Sequence, residues 1–146
     1  MEEQNTSTIS NDEKLISLLS HFSIFFGSLI VPIVLWAVFK NKSQYIRFQS
    51  LQTIFFQLSY TVSIVIIIII FAGLGIVGGV ITSGNLAAKE PPVYFIIPFL
   101  IMYGLIILST IAVLAYSTYM GVKAYQGEIK KYIIVGNIVY NNVYKN

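Results

Sequence analysis

Val62-Ser63-Ile64-Val65-Ile66-Ile67-Ile68-Ile69-Ile70-Phe71 is nearly pure isoleucine and valine, and it sits inside an uncharged run from Phe48 to Ala88. Two more such runs flank it, Leu15 to Phe39 and Pro91 to Val122. Each exceeds the roughly 20 apolar residues that a bilayer-spanning helix needs. In lipid every backbone donor and acceptor must be satisfied within the segment, so a β-branched run of this length reads as helix. The whole chain agrees: of 146 residues 56% are hydrophobic and 10% charged, whereas soluble domains carry about 25% charged residues. Such a composition excludes both an ordinary cytosolic domain and a disordered chain. With no cysteine, the sequence has no disulfide, thiolate metal site or cysteine nucleophile.

The middle run is read as one helix and a loop, because a turn within the hydrocarbon would expose unpaired backbone groups. Gly73, Gly75, Gly78, Gly79 and Gly84 place the end of that span between Gly75 and Ile81, and Lys89-Glu90-Pro91-Pro92 is a non-helical connection. The expected architecture is therefore all-α and integral to the membrane. Three transmembrane helices at about 15–39, 50–78 and 95–122 form a single membrane domain over 12–146, with an interfacial carboxyl-terminal segment from Lys123 to Asn146. A polar tail, 1–11, precedes it and is expected to be disordered. The tail is no signal peptide, since it opens on Glu2 and Glu3 instead of a basic region. Asn11 or Asp12 is expected to cap the first helix.

Short loops rich in lysine and arginine stay on the cytoplasmic side. Lys40, Lys42 and Arg47 place the first connection inside, and Lys123, Lys130 and Lys131 do the same for the carboxyl end. Three crossings then put the amino terminus outside the cell membrane. Trp36, Tyr45, Tyr94 and Tyr125 lie near the span ends, where interfacial aromatic residues belong. The net charge of +3 is topology signal, and no nucleic acid is expected as a partner.

Polar residues within the apolar runs carry what chemistry there is. Gln49, Thr53, Gln57 and Tyr60, with Gln52 beside them and Arg47 at their head, recur at helical spacing on one face. Primary amides are costly against lipid. The stripe either ties the helices of the bundle together or lines a cleft or protein-binding groove. His21, the single histidine, is an intramembrane polar site whose expected role is hydrogen bonding, because no Asp, Glu or Cys lies within any span to complete a metal, haem or catalytic set. Ser109, Thr110, Ser117 and Thr118 read as back-bonded or interhelical hydroxyls. Gly104 and Gly121 read as close helix contacts. No catalytic, metal-binding or cofactor-binding residue is assigned, and no cofactor is expected.

Three pieces of the chain resemble a known group. They are Asp12 to Trp36, with its leucine-serine-histidine run Leu19-Ser20-His21 and its end Val31-Pro32-Ile33-Val34-Leu35-Trp36; Ser43 to Gln52, with Arg47, Phe48 and Gln52; and Ala124 to Val139, closing on Gly136. The group is the small bacterial and archaeal membrane proteins of unknown function related to the Tic-type twenty-kilodalton component of the chloroplast inner-envelope translocon. Gln49-Ser50 stands where that family has His-Ala, and Ile133 stands near the place of its proline. The resemblance implies a small helical membrane bundle, with protein translocation carried over by analogy only.

The reading is a non-catalytic scaffold or assembly subunit of a membrane complex, homo-oligomeric or larger, whose contact surface is Arg47, Gln49, Gln52, Thr53, Gln57 and Tyr60. Besides the lipid bilayer its partners are unspecified. Alternatives are an oligomeric channel or transporter component lined by the stripe, an immunity or sensing protein against membrane-active peptides, and, last, an enzyme that pairs His21 with a serine of another helix.

Overall fold

A computed structural model describes residues 9–83 and 96–145, and all the regular elements among them are helices. The expected loop at Lys89-Glu90-Pro91-Pro92, and most of the amino-terminal tail, lie outside the described residues. Helix α1 runs Asn11–Phe22. Its cap is Ser10, one residue before the expected Asn11 or Asp12. The Ser10 hydroxyl accepts from Glu13 N–H at 3.2 Å while Ser10 N–H donates to the Glu13 carboxylate at 2.8 Å, a reciprocal capping box.

The apolar run from Leu15 to Phe39 does not form one helix. After α1 a 3-10 turn, Ser23–Phe26, leads to Gly27 at φ +59°, a left-handed conformation that favours glycine. The amides of Gly27 and Ser28 return to the carbonyls of Ile24 and Ser23, so the reversal leaves neither donor unpaired. Helix α2, Ile30–Phe39, then starts afresh. Pro32 falls in its first turn, where a missing N–H costs nothing. At 12 and 10 residues, α1 and α2 are each too short for a hydrocarbon core of about 30 Å.

Two helices are long and apolar enough to cross a membrane: α3, Gln44–Ser83, which qualifies over Gln44–Gly78, and α4, Ile96–Tyr125. Helix α3 starts six residues before the expected 50 and outlasts the expected end at 78, because the polar stripe continues its helical period instead of interrupting it. Helix α5, Gly136–Tyr144, closes the described chain.

The chain falls into two units. One comprises residues 1–58 and 114–146, the other 59–113. In the first, Phe48 packs with Val139 and Val143, and Met120 packs with Tyr132 and Val135. Tyr140 and Tyr144 meet the Phe48 ring edge-on. Gly136 is required by its surroundings, since a Cβ there would lie 2.6 Å from Lys131 Cβ and 2.8 Å from the Lys131 backbone. The second unit contains the isoleucine run and the first half of α4. Its aliphatic side chains are exposed almost throughout; Ile69, Leu74, Ile97 and Leu108 are all more than half exposed, and Met102 alone of its described hydrophobic residues is buried. Each aliphatic side chain left in water forgoes about 1.5–3 kcal/mol. A surface of this kind belongs in lipid, and the chain is a membrane protein.

Candidate functional site

The first unit encloses a cluster of polar side chains around His21, which is fully buried. Helix α1 supplies the imidazole, and the first turns of α3 supply Gln49, Gln52 and Thr53 at the spacing that puts them on one face. The segment after α4 supplies Tyr132 and the backbone carbonyls of Glu128 and Lys130.

The hydrogen bonds fix one another's direction. Gln49 donates its Nε2 to the Glu128 carbonyl at 3.3 Å, which turns its Oε1 toward His21 and Gln52. That oxygen only accepts, so His21 Nε2 carries the proton and donates to it at 3.1 Å. Gln52 Nε2 donates to the same oxygen and to the Lys130 carbonyl at 3.2 Å, while Gln52 Oε1 accepts from Tyr132 N–H at 3.3 Å. Thr53 spends its hydroxyl proton on the Gln49 carbonyl at 2.9 Å. The remaining ring nitrogen, Nδ1, therefore accepts from the Tyr132 hydroxyl at 3.0 Å, with Thr53 Oγ1 also at 3.0 Å. Burial pushes the Tyr132 phenol above its ordinary range, so it stays a hydroxyl that can donate. The ring of Tyr132 stacks on Phe56 with centroids 4.1 Å apart, closing the cluster on its apolar side.

One turn further along α3, Gln57 donates to Ser23 Oγ at 3.0 Å, and Ser23 donates to the Ser20 carbonyl at 2.7 Å. From α4, Ser117 donates to the His21 backbone carbonyl at 3.0 Å and lies 3.2 Å from the Tyr132 hydroxyl. Its oxygen thus meets the histidine main chain rather than the ring. Around this centre Tyr45 donates to the Ala124 carbonyl and Ser43 donates to the Glu13 carboxylate, while the buried hydroxyls of Ser17, Ser20 and Ser50 have no hydrogen-bond partner among the described residues.

The structure brings four of the six stripe residues into this cluster. Gln49, Gln52, Thr53 and Gln57 are buried and bonded within the chain. Arg47 is half-buried, and its Nε has no hydrogen-bond partner among the described residues. Tyr60 belongs to the second unit, where its hydroxyl meets Thr110 Oγ1 at 2.7 Å and Ser109 Oγ at 3.4 Å. Ser109, Thr110 and Thr118 also bond back to carbonyls one turn earlier on α4. Gly121 marks a close contact, since a Cβ there would lie 3.2 Å from His21 Cβ and Leu18 Cδ1. At Gly104 a Cβ would meet nothing within 4 Å among the described residues. Tyr132 and the two carbonyls are the members that sequence reasoning did not name. Tyr132 is one of ten tyrosines and follows Lys130-Lys131, a context that reads as solvent-facing.

Among the described residues no group of three or more His, Cys, Asp or Glu side chains is placed to hold a metal ion. What the cluster does chemically is satisfy every polar atom of one imidazole and two amides out of reach of water. Left without partners, such groups would each cost about 1–3 kcal/mol.

The family model for the magnetosome magnetite crystal formation proteins, MamF/MmsF, matches residues 12–139. The chain belongs to that family. The match replaces the Tic-type translocon resemblance, and all three pieces that carried it, Asp12 to Trp36, Ser43 to Gln52 and Ala124 to Val139, fall inside the matched residues. Those motifs encode the buried cluster and its closing segment, features of a helical membrane fold rather than of a translocon. No curated protein and no solved structure matches the chain.

Proposed function

We propose that this member of the magnetosome magnetite crystal formation family is a non-catalytic membrane scaffold, an assembly subunit of the complex that supports crystal formation. The observation that carries the reading is the use made of its polar residues. Gln49, Gln52, Thr53, Gln57 and His21 are consumed in holding the chain's own elements together. What the protein offers its surroundings is an aliphatic exterior on a fixed internal frame. Glycines on that exterior admit close helix approach: no side chain among the described residues stands within 4 Å of a Cβ at Gly73, Gly75 or Gly104. Assembly with itself or with other membrane helices fits those positions better than it fits the buried stripe. The test is gentle detergent extraction of the tagged protein, native mass determination and identification of what accompanies it. A stoichiometric complex is expected, and a monomer under every mild condition would overturn the reading.

The same contacts support a topology. Glu13, at the start of α1, accepts from Ser43, just ahead of α3, and Tyr45 donates to Ala124 near the end of α4. The beginning of α1, the basic connection Lys40 to Arg47 and the end of α4 therefore share one side of the bilayer. Helices α1 and α2 then form a re-entrant pair whose apolar tip, Phe25, Phe26 and Ile30, is 50–83% exposed. With α3 and α4 as the two crossings, both ends of the chain are cytoplasmic, and the tail moves inside from the outside position that three crossings required. Because the chain has no native cysteine, Ser10→Cys gives a single reporter. It should resist a membrane-impermeant maleimide until the cells are opened, and labelling of intact cells would overturn this topology.

A further inference from the structure

The segment that closes the His21 cluster has a second face. Between α4 and α5, Ile133 and Ile134 are 82% and 75% exposed, and Ile138 on α5 is 71% exposed. Their neighbours Val135, Val139 and Val143 are turned inward against Met120, Tyr132 and Phe48. The exposed isoleucines are thus not a slipped core. They stand on a rigid base, since Tyr132 and Gly136 are both fixed by close packing.

Cations surround them. Lys130 and Lys131 immediately precede the isoleucines, and both are exposed. Each is anchored by an aromatic ring. Lys130 Nζ donates to the Tyr119 hydroxyl at 2.7 Å and stands 5.2 Å from that ring's centre, while Lys131 Nζ lies 3.7 Å from the centre of Tyr140. The nearby acid is neutralised already, since Glu128 pairs with Lys123 at 2.8 Å. Aliphatic tip, lysine collar and tyrosine belt occur together where a protein rests on the headgroup layer: the apolar side chains enter the acyl boundary and the ammonium groups remain at phosphate level.

We propose that residues 129–138 form a lipid-docking surface, with Ile133 and Ile134 inserted into the leaflet and Lys130 and Lys131 holding the headgroups of anionic phospholipids. The proposal rests on the membrane reading above, and the charge and the exposed aliphatic tip select a lipid surface over a protein partner. Anionic lipid attracts each basic residue near the surface by about 1 kcal/mol, and at about 1.4 kcal/mol per tenfold removing two lysines should shift the docked population by about 30-fold.

The full-length protein carrying Ile134→Cys, labelled with an environment-sensitive fluorophore, is reconstituted into vesicles of phosphatidylcholine with and without phosphatidylglycerol. Quenching is compared between aqueous iodide and a lipid spin-labelled near its headgroup. Expected are strong lipid quenching, poor iodide quenching, and a loss of both features when phosphatidylglycerol is omitted or when Lys130→Gln and Lys131→Gln are introduced. A label on Asn41→Cys, exposed in the polar connection between α2 and α3, should show the reverse. Iodide quenching at 134 equal to that at 41 would overturn the proposal. Protection from both quenchers would also overturn it, by showing a protein contact there. Ile69→Cys, carrying the same fluorophore and challenged with a lipid spin-labelled along its acyl chain, checks the membrane reading itself: if that lipid does not quench it, that broader reading fails rather than the docking surface.

Discussion

Residues 59–113 and the unit formed by 1–58 with 114–146 are both built on α3 and α4, yet they are held by different forces. The larger unit is tied by directed contacts, in which an imidazole, three amides and several hydroxyls converge from α1, α3, α4 and the closing segment. In 59–113 Tyr60 links α3 to Thr110 and Ser109 of α4 through its hydroxyl. The isoleucine-rich remainder offers lipid a surface that lipid already likes, and apolar contact in hydrocarbon gives little reason to prefer one packing over another. Specificity therefore resides where the polar atoms are, and the aliphatic part serves as the anchor.

The strongest break of this contrast is His21→Ala. It leaves Gln49 Oε1 and the Tyr132 hydroxyl short of partners and opens a cavity, and should cost about 3 kcal/mol or more in reversible unfolding from mixed micelles. Ile69→Ala in the other unit should change the same quantity by less than about 0.5 kcal/mol. A comparable loss at both sites would erase the distinction. Next in size is Gly136→Ala, which drives a methyl group into the Lys131 backbone and should cost about 1–3 kcal/mol in that assay. Gly104→Ala meets open space and should be neutral or stabilising by up to about 1 kcal/mol. If it instead lowers the native mass of the extracted complex, the open face is an assembly contact. Tyr60→Phe sharpens the contrast from the other side: losing the Thr110 bond should cost about 1 kcal/mol in the same assay.

The smallest effect concerns pH. Burial acts to raise the Glu13 carboxyl, but the hydrogen bonds from Ser43 and from the Ser10 amide and hydroxyl outweigh it, and the group lies below its ordinary value of 4.5. The unfolded chain then binds the proton first as the solution is acidified. The contribution of Glu13 to stability is complete above pH 4.5 and is lost as the pH falls through the lower folded-state value. Helix content followed from pH 6 to pH 3 should show this loss in the native chain, and Glu13→Gln should flatten it.

Much of this was legible from residue order. The long uncharged runs gave α3 and α4, and the glutamine spacing gave the inward face of α3. The break at Gly27 was missed because glycine is common in membrane helices, and only the return of two amides to Ser23 and Ile24 distinguishes a reversal from a straight span. The cluster itself was half visible. His21 and the glutamines stand out as polar among apolar residues, but their acceptors at Glu128 and Lys130 are main-chain carbonyls, which every residue possesses and no sequence marks. The family resemblance failed for a related reason: the motifs matched were those of a packed membrane fold, and a fold is shared more widely than a function.

The span of chain that separates the partners in the His21 cluster also orders events during synthesis. His21, Gln49 and Gln52 are made before α4, whereas the partners that satisfy them, Tyr132 and the carbonyls of Glu128 and Lys130, follow it. The cluster therefore closes only after both long helices have been synthesised, and until then its amides and imidazole are without those hydrogen bonds.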